Sequence, residues 1–338
     1  MRATPRPPAG DAPASDGAAK ARLASTHAPY ADLTPDRVLD AVAACGLMPD
    51  GRLFALNSYE NRVWQVGLED AAPVVVKFYR PGRWSDAAIL EEHAFAGELA
   101  GAELPVVAPL AFAGRTLLHH TGYRYAIAPR HGGRAPTLES AEELAWLGRL
   151  IARIHAVGAR APFLHRGAID RATLVERPSR AVLASPLLPA ALRDRYRAAV
   201  ARLDEAIAAR EATVGTVRRL RLHGDCHPGN VLWTDAGPHF VDLDDARMGP
   251  AVQDLWMLAH DERAMHGLLD GYTSMRDFDP AELALIPALR AMRQVHHAGW
   301  IAARWNDPAF PAAFPFAAEP SWWEQHVADL GELAEALG

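Results

Sequence analysis

Apolar positions begin to recur in a regular way near Asp32. Thr34 followed by Pro35 reads as an N-cap and first helical residue, with Val38, Leu39 and Val42 supplying one apolar face and Gly46 ending the helix. The runs Arg62–Val66 and Pro73–Tyr79, the second carrying the triplet Val74, Val75 and Val76, predict strands of an antiparallel sheet. A helix is expected from about Ser85 to Ala100, with Ile89, Phe95, Ala96 and Leu99 inward. Val106–Phe112, Thr116–His119 and Tyr123–Ala128 then read as three more strands, broken at Gly114 and Gly122. Counting a first strand ahead of the turn at Ser58, the expected order is three strands, a helix and three strands.

The period changes after His131–Gly133. Ser140 and Glu143 form a capping-box pattern, Leu144, Leu147, Ile151 and Ile154 recur at helical spacing, and Gly158 stops the helix. From there the chain reads as mainly helical, interrupted by one hairpin-like segment, Val231–Leu243. This pattern predicts an α+β fold of two lobes, a sheet-rich one over residues 30–130 and a helical one over residues 131–338. Residues 1–29, rich in Ala, Pro and Gly, are expected to be a disordered and dispensable tail. They lack the apolar stretch of a secretory signal.

Length and composition fit that picture. A chain of 338 residues, half of them hydrophobic, can build two lobes around sizeable cores. The formal charge of −6 gives no general attraction to nucleic acid or acidic lipid, and it favours a cationic small molecule or basic protein segment as partner. The two cysteines, Cys45 and Cys226, lie far apart and form neither a disulfide framework nor a CxxC pair. No run approaches 18 apolar residues, so no membrane span is expected. A cytoplasmic monomer is the expectation.

The chemistry is concentrated in Leu222–Trp233 and His239–Asp245. A loop carrying Asp225 feeds a strand that begins after Asn230, and a tight reversal leads into a second strand ending at Asp242. Pairing the strands brings Asn230 and Asp242 together. Two carboxylates and an amide oxygen suit Mg²⁺, which takes a few hard oxygens and leaves places for substrate phosphates. The remaining carboxylate can accept a proton from a hydroxyl. His223 and His227 could be read as a zinc pair. An i, i+4 pair needs a helix to converge, however, and Pro228-Gly229 argues against one, so loop-bracing hydrogen bonds are expected instead. Cys226 reads as a small buried residue. Asp242, Asp244 and Asp245 admit a bland reading as a solvated acidic turn, with Asp245 a helper or cap, and Asp254 reads as a structural brace.

The Asp-x-x-x-x-Asn spacing followed by a hairpin and Asp resembles the catalytic and metal loops of protein kinases. The run His223-Gly224-Asp225-x-His227-x-Gly229-Asn230 is similar to the aminoglycoside and choline kinase branch of that fold. With Leu56–Val63, Val76–Pro81 and Val241–Trp256 added, the chain resembles the bacterial stress response kinases, serine/threonine protein kinases in that branch. The resemblance implies a bilobal protein-kinase-like fold that uses ATP and Mg²⁺. It implies Asp225 as catalytic base, Asn230 and Asp242 as Mg²⁺ ligands, and Lys77 as anchor of the α- and β-phosphates. Glu92 would pair with that lysine, Glu91 being the neighbouring alternative. Ser58 would approach the nucleotide phosphates, and backbone at Ile127 and Ala128 would meet adenine.

Three departures qualify it. Asn57–Asn61 contains no glycine, Gly224 stands where the kinase pattern has arginine, and no Ala-Pro-Glu segment follows Asp242. Control by activation-loop phosphorylation therefore lacks its usual anchor. Only the resemblance favours a protein serine or threonine as acceptor. A small alcohol resembling choline, an aminoglycoside or an amino acid is the alternative, and a non-catalytic ATP-binding scaffold the second.

Overall fold

A computed structural model describes residues 28–338, and almost all of the expected tail lies outside the described residues. Helix α1 (Pro35–Ala43) starts where Thr34 Oγ1 accepts the Arg37 N–H at 3.4 Å. Its buried Val38, Ala41 and Val42 cover one face of a sheet. The sheet contains β1 (Pro49–Leu56), β2 (Arg62–Leu68) and β3 (Val74–Phe78) before α2 (Asp86–Gly101), and β4 (Leu118–His120) and β5 (Tyr123–Pro129) after it. All neighbours are antiparallel, in the order β1-β2-β3-β5-β4. Strand alternation in β3 turns Val74, Val76 and Phe78 into the core beneath α1, which places Lys77 on the opposite face. Ser85 Oγ caps α2 by accepting the Ala88 N–H at 3.2 Å.

The expected strand Val106–Phe112 does not form. Val106 bridges Phe240 and Phe112 bridges Arg115, both in isolation. Pro109 removes a ladder donor within the run and Pro105 another just before it, which suits it poorly for a place in the sheet. Its polar groups are satisfied partly across the lobes and partly by β5 instead. Val107 N–H donates to the Phe240 carbonyl at 3.0 Å, Phe240 N–H to the Pro105 carbonyl at 2.7 Å, and Leu110 N–H to the Ile127 carbonyl at 2.7 Å.

Beyond β5 the chain is mainly helical. Helix α3 (Ala141–Gly158) begins with Ser140 Oγ accepting the Glu143 N–H at 3.0 Å. The reciprocal half of the expected capping box is displaced upstream, because the Glu143 carboxylate accepts from the N–H groups of Thr137 and Leu138 and from the Thr137 hydroxyl. Gly158 does end the helix, and a side chain there would collide with the Arg221 carbonyl. A π-turn (Ala172–Glu176) runs into α4 (Arg177–Ala184), followed by α5 (Arg193–Val214). Strands β6 (Leu220–Arg221) and β9 (Met248–Gly249) pair with each other, and they bracket the hairpin of β7 (Val231–Thr234) and β8 (Gly237–Phe240). Then come α6 (Val252–Trp256), α7 (Glu262–Thr273), α8 (Ile286–Ala303), α9 (Ala309–Ala313) and α10 (Pro320–Leu337). The large core joins Leu147, Ile151, Leu203, Leu255 and Leu268 to Phe95 and Leu99 of α2, so α2 belongs to the packing of both lobes. The expected α+β bilobal architecture is the one observed.

Candidate active site

The loop after β6 is held by Asp254 of α6. One carboxylate oxygen accepts the His223 N–H at 2.9 Å and the other accepts the Gly224 N–H at 2.9 Å, with His155 Nε2 3.0 Å away. Burial opposes the Asp254 charge, but the His155 hydrogen bond and its field outweigh that and hold the carboxyl below the usual range. The expected brace is therefore a buried one. Gly224 has φ +85°, and a Cβ there would run into the Asp245 carbonyl, so neither arginine nor any other side chain fits. The arginine of the kinase pattern is excluded by the close approach of the metal-loop backbone.

Both loop histidines brace the loop. His223 Nε2 donates to the Val241 carbonyl at 2.9 Å. His227 Nδ1 accepts the Gly229 N–H at 3.0 Å, and its Nε2 lies 3.5 Å from Asp225 Oδ2. Asn230 Nδ2 donates to the Asp225 carbonyl at 2.9 Å, which turns the amide oxygen the other way. The register Val231↔Phe240 and the Val241 N–H to Asn230 carbonyl bond at 3.0 Å place Asp242 beside Asn230. Asp242 itself is left-handed, at φ 60° and ψ 66°, a conformation that costs a non-glycine residue free energy and clusters at functional sites.

That bend aims the Asp242 carboxylate at Lys77, 3.1 Å away, while Glu92 of α2 lies 3.2 Å from the same ammonium. Glu91 points elsewhere and accepts the N–H groups of Leu164, His165 and Arg166. Burial alone would lower the Lys77 pKa, but the fields of Asp244, Glu92 and Asp242 hold it well above its ordinary value. Burial pushes the Glu92 carboxyl up against the pull of Lys77.

Asp244 is the residue that reading the chain undervalued. It is not part of a solvated turn: it is 3% exposed, and it accepts from Asn61 Nδ2 at 3.0 Å, meets Lys77 at 3.4 Å and pairs with Arg83. Burial opposes its charge, but Arg83 and Lys77 prevail and its pKa is lowered. Asp245 holds Arg83 at 2.7 Å and Arg247 at 3.0 Å. A buried acid such as Asp244, with a partly exposed one beside it, demands cations, and the arginines that follow β3 were the visible signal.

Ser58 lies half-buried in the β1–β2 connection, which is tied to the helical lobe at its C-terminal side. Glu60 accepts from Arg80 and from Trp300 Nε1. Asp307, fully buried, takes Arg62 at 2.7 Å and Arg80 at 2.6 Å. Ile127 is fully buried in β5 opposite Val76, and half-buried Ala128 follows it opposite Val75. Arg293 of α8 donates to Asp225 Oδ1 at 2.8 Å, a contact that no motif announced. The structure thus gathers Lys77, Glu92, Asn230, Asp242 and Asp225 around the junction of the lobes, with two buried ion-pair groups behind them.

Among the described residues no helix is long and apolar enough to cross a membrane. The model of the phosphotransferase enzyme family matches residues 52–286. Stress response kinase A of Escherichia coli strain K12 is 43% identical over 313 residues, 91% of this chain and 94% of that protein. The serine/threonine protein kinase RdoA of Salmonella typhimurium is similar to the same extent, 43% over 91% of this chain and 94% of its own length. Among solved structures, an amicoumacin kinase in complex with AMP-PNP and Ca²⁺ superposes with a TM-score of 0.67 at 17% identity, covering 89% of this chain and 93% of the other. A microcompartment-associated aminopropanol kinase gives 0.66 at 19% identity over 87% and 98%. At those identities the two structures establish the fold alone.

Proposed function

Because the chain belongs to the phosphotransferase enzyme family, we propose that it transfers the γ-phosphoryl group of ATP to a serine or threonine hydroxyl of a protein. The observation that carries this reading is the convergence of Glu92 and Asp242 on Lys77, both within 3.2 Å, beside a loop that fixes Asp225 and Asn230. Lys77, kept charged by its three acids, binds the α- and β-phosphates, and Glu92 holds it in place. Ser58 approaches the phosphates from the β1–β2 connection. The strand end at Ile127 and Ala128 meets adenine, with Ala128 the more accessible of the two.

Asp225 orients the acceptor hydroxyl and takes its proton as the oxygen forms a bond to the γ-phosphorus. The bond from that phosphorus to the bridging oxygen breaks and ADP leaves with the electron pair. The residues fit Mg²⁺: the half-exposed Asp242 carboxylate and the Asn230 amide oxygen, turned away from the Asp225 carbonyl, are the hard oxygens that would hold it. When bound, Mg²⁺ supplies neutralisation of phosphate charge. A scaffold that only binds ATP has no use for the whole set of Lys77, Asp225, Asn230 and Asp242.

Protein serine or threonine is favoured as acceptor by the relative at 43% identity that is named a serine/threonine protein kinase. The second reading, a small alcohol, is favoured by the fold likeness to kinases named for amicoumacin and aminopropanol. A role in stress response accords with the name of a relative at 43% identity. The deciding experiment incubates the purified protein with radiolabelled ATP, Mg²⁺, casein-like proteins and a panel of small alcohols. Protein labelling at higher kcat/KM supports the proposal, and preference for an alcohol by orders of magnitude overturns its acceptor while leaving the phosphotransferase chemistry standing.

A further inference from the structure

Arg293 Nη1 lies 2.8 Å from Asp225 Oδ1, and about half of the arginine side chain remains open to solvent. The residue comes from α8, whose 18 residues carry Arg290, Arg293, His296 and His297 and neither aspartate nor glutamate. Arg290 sits over the Trp256 ring at 5.6 Å. Burial holds the His227, His296 and His297 rings below the ordinary imidazole pKa, aided by the field of Arg293 at His227 and His297 and chiefly by that of Arg247 at His296. The acids on the facing elements are already committed. Asp254 binds two backbone N–H groups, and Glu60 takes Arg80, Arg304 and Trp300. Among the described residues, a half-exposed guanidinium therefore stands directly against Asp225, within a chain of net charge −6.

An exposed ion pair of this kind contributes little to stability, so its value to the fold does not explain an arginine at this point. Its chemistry does suggest a ligand. Guanidinium binds carboxylate and phosphate through paired N–H donors, and a second anion next to the acceptor hydroxyl would draw Arg293 away from Asp225 and free that oxygen for the proton. A cationic amine would meet like charge instead. We propose that Arg293 is the specificity-determining residue of the acceptor side, selecting hydroxyls that carry an adjacent negative charge: serine or threonine flanked by aspartate or glutamate. This rests on the reading of Asp225 as the group that meets the acceptor hydroxyl. It reverses the expectation of a cationic partner, because net charge does not describe a cleft.

The experiment compares kcat/KM for four acceptors: a single-serine peptide with glutamates around the serine, the same peptide with lysines, glycerate as an anionic alcohol and choline as a cationic one. One charge-assisted contact of about 1.4 kcal/mol corresponds to roughly tenfold, so the acidic peptide should exceed the basic one by about that factor. Arg293→Ala should bring the ratio near one, Arg293→Glu should invert it, and Arg293→Lys should restore part of it. An equal or basic preference in the wild type, or an acidic preference untouched by Arg293→Ala, overturns the proposal and leaves the protein-kinase reading intact. If neither peptide is labelled, the protein-acceptor reading fails, and the ratio of glycerate to choline then decides the charge selection by the same criterion. Labelling of none of the four overturns both.

Discussion

Replacing Asp307 with asparagine removes one charge from a site with no solvent access and two arginines. Asparagine keeps the shape, and its oxygen can still cap the Ala309 N–H, which Asp307 Oδ1 accepts at 3.1 Å. Arg80 would retain Glu60 at 3.0 Å, whereas Arg62 would be left with the Tyr59 and Asn61 carbonyls at 3.2 and 3.3 Å. Breaking a buried pair on one side costs about 3–5 kcal/mol, and the surviving Glu60 contact puts this case near 3. The melting temperature should then fall by roughly 4–5 °C. The same change loosens the connection that carries Ser58. Ordering it again on nucleotide binding should raise the KM for ATP by about 5–10-fold, equivalent to 1–1.4 kcal/mol. Thermal unfolding and ATP titration should be repeated at high salt, where an exposed pair would be screened and this one should not be. A melting temperature within a degree of wild type, together with an unchanged KM, would refute the view that Asp307 clamps the β1–β2 connection to the helical lobe.

Three further outcomes are expected. Asp242→Ala should abolish transfer and flatten the Mg²⁺ dependence, whereas Lys77→Met should impair phosphate positioning with metal affinity less affected. Mg²⁺ titrations at fixed ATP separate the two, and a wild-type metal curve for Asp242→Ala contradicts its assignment. His326, buried against Trp322, has its imidazole pushed by burial from the ordinary 6.5 to about 4. The unfolded chain therefore binds the extra proton between those values, and stability is lost as pH falls from 6.5 toward 4. The loss reaches about 2 kcal/mol at pH 5, and His326→Gln should remove it from the pH profile of urea unfolding. Deleting residues 1–29 should leave folding and transfer intact, as circular dichroism and the labelling assay would show; a truncated protein that fails to fold rules out a dispensable tail.

The elements legible in the chain were those whose signal is local. Thr34 and Ser140 announce their helices because a cap is a contact between residues three apart, and Val74–Val76 announces β3 because its β-branched residues suit a sheet. The Asp225, Asn230 and Asp242 spacing is legible for the same reason, since one hairpin brings them together. Val106–Phe112 misled because apolar residues promise a strand, whereas the two prolines take away the donors that a sheet requires. Asp244, Arg83, Asp307 and Arg293 were not legible as site residues. Each acquires its partners across sequence separations of 68 to 245 residues, and no periodicity records such contacts. Gly224 was noticed as a departure, but its cause, the passing Asp245 carbonyl, exists only in three dimensions.

The central claim is that Asp225 moves the proton of the acceptor while Lys77, Asn230 and Asp242 serve the nucleotide and metal. Its most direct test measures kcat and ATP affinity side by side for the wild type and Asp225→Asn, with folding checked by circular dichroism. Loss of the general base should lower kcat by about 10²–10⁴-fold, with the dissociation constant of ATP unchanged within a factor of about 2. A folded Asp225→Asn protein that turns over near the wild-type rate would contradict the account.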